Sequence, residues 1–317
     1  LCSRWQADCP ENTMMDRPQG ARRVLRLLSC IRFDEVLVLQ GAPLLGAVFA
    51  MGHFTYQSAA MLLLLMAGNA FLVAHIFMLN DWSGVHQDLR DPTRAAGVFI
   101  NRGIRRNEIG ALLLILLALS LMTLSQLNAA TLAIALSIAV AGALYSIPHV
   151  YLKGIPLANT LLHVASGLLH FLLGYSVFRS PDMNGLQIGL FFATIFSAGH
   201  LTQEVRDCEA DLSNGIQTNA VKFGKKRSFI AGFVLFTLAD ALLVLLALRG
   251  TVPQVLAMFV ALIYPLHFYW MLQAMREGLT FESVRSLQAR YRALYAGMGV
   301  VMIVSVLLAQ KWIYLLP

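Results

Sequence analysis

The sequence predicts an all-α, polytopic membrane protein, with nine transmembrane helices around a central cavity. They are expected as two parallel four-helix halves plus a ninth helix. Three observations carry this. The 317-residue chain is 58% hydrophobic and only 13% charged, with a mean hydropathy of +0.66. Soluble domains run at about 45–50% apolar and about 25% charged, so a soluble globular enzyme, a disordered chain and a disulfide-stapled chain are all excluded. Next, nine apolar runs are each near the roughly 20 residues that a membrane helix needs: 35–53, 58–79, 107–126, 129–147, 156–178, 185–203, 228–248, 252–274 and 292–315. Finally, if successive runs cross in alternate directions, 21 of the 24 Lys and Arg fall on the N-terminal side. Arg179, Arg249 and Lys311 fall on the other.

That asymmetry places the N-terminus and the loops after even-numbered spans in the cytoplasm. It also accounts for the net charge of +7 and the pI near 9.4 without a nucleic-acid partner. Residues 1–21 read as a flexible, polar lead and 22–317 as a single transmembrane domain. Arg22, Arg23, Arg26 and Arg32 are not followed by a small-residue cleavage site, so the first run reads as a retained span. Cys2, Cys9, Cys30 and Cys208 form no CxxC pair, hence no zinc pattern.

The acidic residues gather in two cytoplasmic loops. Asp81, Asp88 and Asp91 follow span two; Glu204, Asp207, Glu209 and Asp211 follow span six. On a helix, Asp81 and Asp88 share a face two turns apart, and so do Asp207 and Asp211 one turn apart. Carboxylates aimed at one point repel unless a cation lies between them. Hard oxygen donors with water suit Mg²⁺, which joins one or two carboxylates to substrate phosphates. Two such clusters at a shared face, four helices apart in sequence, would hold Mg²⁺ and a diphosphate at the interface between repeats. Asp81, Asp88, Asp207 and Asp211 are the candidate metal ligands. Asn80 adds a neutral oxygen. Lys153, the only cation of its loop, meets the diphosphate as a point charge, and Arg94, Arg206 and Lys222 are further candidates.

On these residues the sequence resembles the UbiA superfamily of intramembrane prenyltransferases. That family carries NDxxDxxxD after helix two and DxxxD after helix six. Asn80, Asp81 and Asp88 match the first motif; Asp207 and Asp211 match the second. The run Asp211, Gly215, Thr218, Val221, Gly224 is also similar to the family pattern, as are Tyr145-Ser146 with Lys153 and Asn159. The middle Asp of the first motif is Gly84, the Tyr of a YxxxK motif ending at Lys153 is His149, and Arg94-Ala95 replaces the usual Arg-Pro. The resemblance implies Mg²⁺-dependent transfer of an isoprenyl group from an allylic diphosphate to an aromatic or lipophilic acceptor. It places Asp81, Asp88, Asp207, Asp211 and Lys153 in the catalytic site, with Tyr145 beside the substrate.

Asn159, His163 and His170 fall on one face of span five and form a polar stripe descending from Lys153, a candidate acceptor pocket. Asn69, His75 and His200 read as polar contacts between helices. Phe191, Phe192, Phe196, Phe268, Tyr269 and Trp270 are candidates to line a tunnel for the isoprenoid tail. Two alternatives stand beside transfer. An intramembrane terpene cyclase would use the same chemistry without an acceptor, and Gly84 and the missing Arg-Pro favour it. A transporter or non-catalytic lipid-binding protein would place its ionisable groups at mid-membrane, where only Asp240 and a few His fall.

Overall fold

A computed structural model of the chain describes residues 19–90 and 95–309. The expectations for Asp91, Arg94, Lys311 and most of the N-terminal lead lie outside the described residues. The described residues form helices and loops without a strand, and nine of the helical segments are long and apolar enough to cross a membrane.

A short helix α1 (Gln19–Leu28) precedes the first span, which is broken into α2 (Phe33–Val38) and α3 (Gly41–Ala50). Spans two to four are α4 (Tyr56–Asp88), α5 (Arg106–Leu124) and α6 (Ala129–Ser146). Spans five and six are α7 (Ala158–Phe178) and α8 (Met183–Ser213), followed by the short α9 (Asn219–Phe223). The last three are α10 (Lys225–Leu248), α11 (Val255–Arg276) and α12 (Phe281–Ala309).

The break in the first span follows from Pro43. Its ring removes the N–H that would bond Leu39, one turn earlier. In an apolar surrounding the freed backbone groups need other partners. Buried Gln40 donates from Nε2 to the Val36 carbonyl at 2.9 Å, and Asn69 Nδ2 donates to Gln40 Oε1 at 3.0 Å and reaches the Leu39 carbonyl at 3.4 Å. Asn69 is thus interhelix polar contact, as is His75, whose Nδ1 lies 2.8 Å from the Leu113 carbonyl.

Several helix starts are capped by side chains, which satisfy N–H groups that have no partner within the helix. Thr55 and Ser58 form a reciprocal capping box on α4. Asn128 accepts from Thr131 N at 2.9 Å on α6, and Asp182 from Gly185 N at 2.8 Å on α8.

The two halves repeat one plan. The second span of each half is the long one, with 33 residues in α4 and 31 in α8. Each packs along its successor, α4 on α5 and α8 on α10. At 5.4 Å per turn, such helices outrun a hydrocarbon core of about 30 Å. Their C-terminal turns therefore extend past the apolar layer, and those turns carry the carboxylates. The halves meet where α3 packs on α7. Contact there is backbone to backbone: a Cβ on Gly174 would overlap the Pro43 carbonyl, and one on Gly46 would overlap that of Phe171. Large apolar side chains such as Leu114, Met122, Met258 and Leu262 cover the outside, as lipid-facing surface requires.

Gly174→Val should force α3 and α7 apart and cost about 1–3 kcal/mol, the usual penalty of overpacking. Thermal unfolding in detergent, followed by loss of the monodisperse elution peak, should show a lowered midpoint. An unchanged midpoint would contradict the close packing.

Candidate active site

At the acidic end of the bundle lies a cavity of about 650 Å³. From α4 it is lined by Asn80, Asp81, Gly84 and Asp88. From α8 it is lined by His200, Gln203, Glu204, Arg206, Asp207 and Asp211. Positions 81, 84 and 88 lie on one face of α4, and 200, 203, 204, 207 and 211 on one stripe of α8, by the ordinary helical period. The carboxylates expected in loops therefore stand on the last turns of two long helices, which hold them more rigidly than loops would. Tyr145, Lys153 and Asn159 complete the wall between the two helices.

Each acidic pair is met by an arginine. Arg32, just before α2, makes a two-pronged ion pair with Asp81, its Nε 3.2 Å from Oδ2. Arg206 Nε and Nη2 reach the two oxygens of Asp207 at 2.7 and 2.8 Å, and its Nη1 donates to Gln288 Oε1 at 2.7 Å. Asp207 and Asp211 are buried. Arg102 also lines the cavity and is held by Ser29.

The loop carrying Lys153 is fixed at three points. Tyr151 adopts φ +43°, in the left-handed region that favours glycine, and its hydroxyl donates to Gln87 Oε1 on α4 at 2.9 Å. Burial pushes the Tyr151 hydroxyl up from the ordinary tyrosine range, which keeps it a neutral donor. Leu157, at φ +63°, donates its N–H to Asn219 Oδ1 at 2.8 Å. Asn159 Nδ2 reaches the Lys153 carbonyl at 3.3 Å.

Behind this wall, Glu204 is buried among donors. Asn159 Nδ2 lies 2.8 Å from Oε1, Asn219 N 3.0 Å from Oε2, Asn219 Nδ2 within reach of both oxygens, and His200 Nε2 3.1 Å from Oε1. His163 stacks on His200 at 3.4 Å and 8°, and its Nδ1 donates to the Asn159 carbonyl at 2.8 Å.

The structure thus brings together Asn80, Asp81, Asp88, Tyr145, Lys153, Asn159, Arg206, Asp207 and Asp211, with His163 one residue behind. Lys222 sits on α9 and is not among the lining residues. His170 lies deeper, bonded to the Ser166 carbonyl, so of the expected polar stripe only Asn159 lines the cavity, with His163 behind it against His200. None of the six aromatic residues expected in a tunnel lines this cavity. Phe191 is in the core, Phe192 and Phe196 pack beside Phe171 and His163, and Phe268 and Tyr269 are exposed on the outer face. Asp240 is met by the Tyr295 hydroxyl, 3.3 Å from each oxygen. Arg32 and His200 have no site role in the sequence motifs, and Glu204 enters there only as a member of the acidic cluster after span six. Glu204 was within reach, because it precedes Asp207 by three residues and so shares its face one turn deeper.

Among the described residues no three His, Cys, Asp or Glu stand close enough to make a metal site alone. The donor set nonetheless fits Mg²⁺ held jointly with a ligand. Magnesium takes one or two carboxylates and completes its shell with water and phosphate oxygens, and each helix end presents two carboxylates to a polar cavity that also holds Lys153, Arg32 and Arg206.

Gly84 faces this cavity, and a Cβ there would come no nearer than 3.8 Å to Asp88 Oδ2. Gly84→Asn, which adds the bulk of an aspartate without its charge, should therefore fold with stability within about 1 kcal/mol of the parent. A collapse of the elution peak would show that the space is not there.

Solved structures share this architecture. A UbiA homolog from Archaeoglobus fulgidus bound to GPP and Mg²⁺ is 20% identical, covers 88% of this chain and 99% of its own, and has a TM-score of 0.69. The apo structure of a UbiA homolog from Aeropyrum pernix K1 is 16% identical, with coverages of 86% and 98% and a TM-score of 0.70. A structure from work on the biosynthesis of digeranylgeranylglyceryl phosphate synthase in membranes is 20% identical, with coverages of 90% and 99% and a TM-score of 0.69. No curated protein sequence matches the chain at a significant level. At such identities the structures show the fold. The family follows from the sequence, because the model of the UbiA prenyltransferase family matches residues 41–280, well over half the chain. The chain is an integral, multi-pass membrane protein, and it belongs to the UbiA prenyltransferase family.

Proposed function

We propose that the protein transfers an isoprenyl group from an allylic diphosphate to an aromatic or otherwise lipophilic acceptor, releasing pyrophosphate. The observation that carries this reading is the convergence of two acidic helix ends, with Lys153 and Arg206, on one cavity. Asp81 and Asp88 on one wall, and Asp207 and Asp211 on the other, are the residues that would hold Mg²⁺. When bound, Mg²⁺ neutralises the charge developing on the leaving oxygens. Lys153 and Arg206 add fixed positive charge for the diphosphate, and Arg32 must exchange its contact with Asp81 for one with the ligand. Asn80 and Tyr145 lie against the same ligand. The Archaeoglobus fulgidus homologs bound to GPP or DMAPP with Mg²⁺ support this assignment by analogy.

The polar cavity sits at the end of the bundle that carries most of the Lys and Arg, so the site opens to the cytoplasm together with the N-terminus. An electrophilic allyl cation must be kept from water until the acceptor captures it. The apolar bundle below the cavity provides that exclusion.

Pyrophosphate release from dimethylallyl, geranyl and farnesyl diphosphate tests the reading. Membranes carrying the protein are assayed with and without Mg²⁺ and with a panel of hydroxylated aromatic acceptors. Release should require Mg²⁺ and an acceptor, and Asp81→Ala and Asp207→Ala should each lower it at least about 100-fold, as loss of a main electrostatic group does. Release without acceptor, yielding a cyclic product, would establish a terpene cyclase instead. No release with any of these diphosphates would contradict the transfer reading and favour a non-catalytic protein.

A further inference from the structure

We propose that His200, oriented by Glu204, is the base that takes the proton released when the acceptor captures the allyl cation. The inference rests on the transfer reading above.

The argument begins with Glu204. Both of its oxygens already receive N–H donors: Asn159 Nδ2 on Oε1 at 2.8 Å, and the Asn219 backbone N–H on Oε2 at 3.0 Å. Asn219 Nδ2 reaches both. Amide nitrogens only donate, so the carboxylate is held as an acceptor on each oxygen. The His200 ring nitrogen that meets Oε1, Nε2 at 3.1 Å, is therefore the one that bears hydrogen. The neutral ring then carries its lone pair on Nδ1.

The ring is also held in plane. His163 stacks on it at 3.4 Å and 8°, and His163 is itself tied by Nδ1 to the Asn159 carbonyl at 2.8 Å. A carboxylate on one ring nitrogen and a fixed ring plane are what orient an imidazole to accept a proton at the other nitrogen, and the carboxylate offsets the charge that results. None of this is needed to join α7 to α8, which pack along their length through apolar side chains and at Gly167.

Position selects His200 over its neighbours. His200 lines the cavity together with Asp207 and Asp211 and stands two turns deeper on the same stripe. Glu204 is only 3% exposed and saturated with donors, so it acts through His200 as a positioning residue. The aspartates of the two helix ends are assigned to the metal and diphosphate.

The chemistry balances. The allylic C–O bond breaks and its electron pair leaves with pyrophosphate. A carbon of the acceptor forms a C–C bond to the allylic carbon. That acceptor carbon then loses a proton to His200 Nδ1, and its C–H electrons restore the acceptor's π-system. The proton passes from the imidazolium to water in the cavity. The proton lost from such a cationic adduct is strongly acidic, so a neutral imidazole suffices.

The test uses the full chain in membranes, with geranyl diphosphate, Mg²⁺ and a panel of mono- and dihydroxybenzoates as probes. His200→Ala should lower prenylated product about 100-fold, within the range general bases supply. Added imidazole should restore at least a tenth of the parent rate by filling the vacated space. Glu204→Gln should lower product in the same direction, without imidazole rescue. Rescue separates lost chemistry from lost folding, because a merely structural histidine would not be replaced by a diffusible base. A second readout is independent of turnover: diethyl pyrocarbonate should acylate His200, seen by peptide mass spectrometry, and geranyl diphosphate with Mg²⁺ should protect it. If the parent transfers and His200→Ala transfers equally well, or is inactive without rescue, the proposal is overturned while transfer stands. If His200 is acylated equally with and without the diphosphate, it does not face the site and the proposal falls. A parent that makes no prenylated product overturns both readings.

Discussion

Charge buried inside a protein has to be paired, and the arrangement around the buried Glu204, Asp207 and Asp211 follows from that constraint. A carboxylate taken from water loses several kcal/mol of solvation. Four aspartates and two glutamates lining one cavity would expel one another unless cations and N–H donors were brought to them. Three of the donors to these groups come from other segments: Arg32 from before the first span, Asn159 from span five, Asn219 from the start of α9. Arg206 and His200 come from α8 itself: Arg206 neighbours Asp207 in sequence and is anchored across the bundle by Gln288, and His200 meets Glu204 from one turn away. Closing the bundle and compensating the site are thus one event. A ligand that brings Mg²⁺ and a diphosphate replaces these internal contacts with its own.

Much of the fold was legible because bilayer insertion is a strong filter. Nine apolar runs and the Lys and Arg asymmetry gave the spans within a few residues at most ends, and the acidic residues were correctly grouped by span. Where the reading differed, the cause was local. The break at Leu39 and Gln40 depends on Pro43 together with Gln40 and Asn69, and the last of these is distant in sequence. The carboxylates read as loop residues because hydropathy ends where the helix leaves the apolar layer, while the helical hydrogen bonds of α4 and α8 run on.

The site was legible in its motifs and less so in its partners. Arg32 carries the same chemistry as the other N-terminal arginines, and only the fold distinguishes it by placing Asp81 opposite. Lys222 looked equivalent to Lys153 by charge, yet α9 holds it off the cavity wall. The aromatic residues of spans six and eight had no signal to separate lipid-facing from cavity-facing positions, because apolar residues suit both. His163 and His200 lie on different spans, so their stacking is invisible to any periodicity within one helix.

The claim that both acidic helix ends serve one ligand is tested most directly by locating the metal. The protein would be determined with Mn²⁺ and a non-reactive thio analogue of geranyl diphosphate, and the manganese placed by its anomalous signal. The account predicts manganese bound by carboxylates of both α4 and α8, with the diphosphate between them and Lys153 against it. Manganese confined to one helix end, or a diphosphate bound away from this cavity, would contradict it.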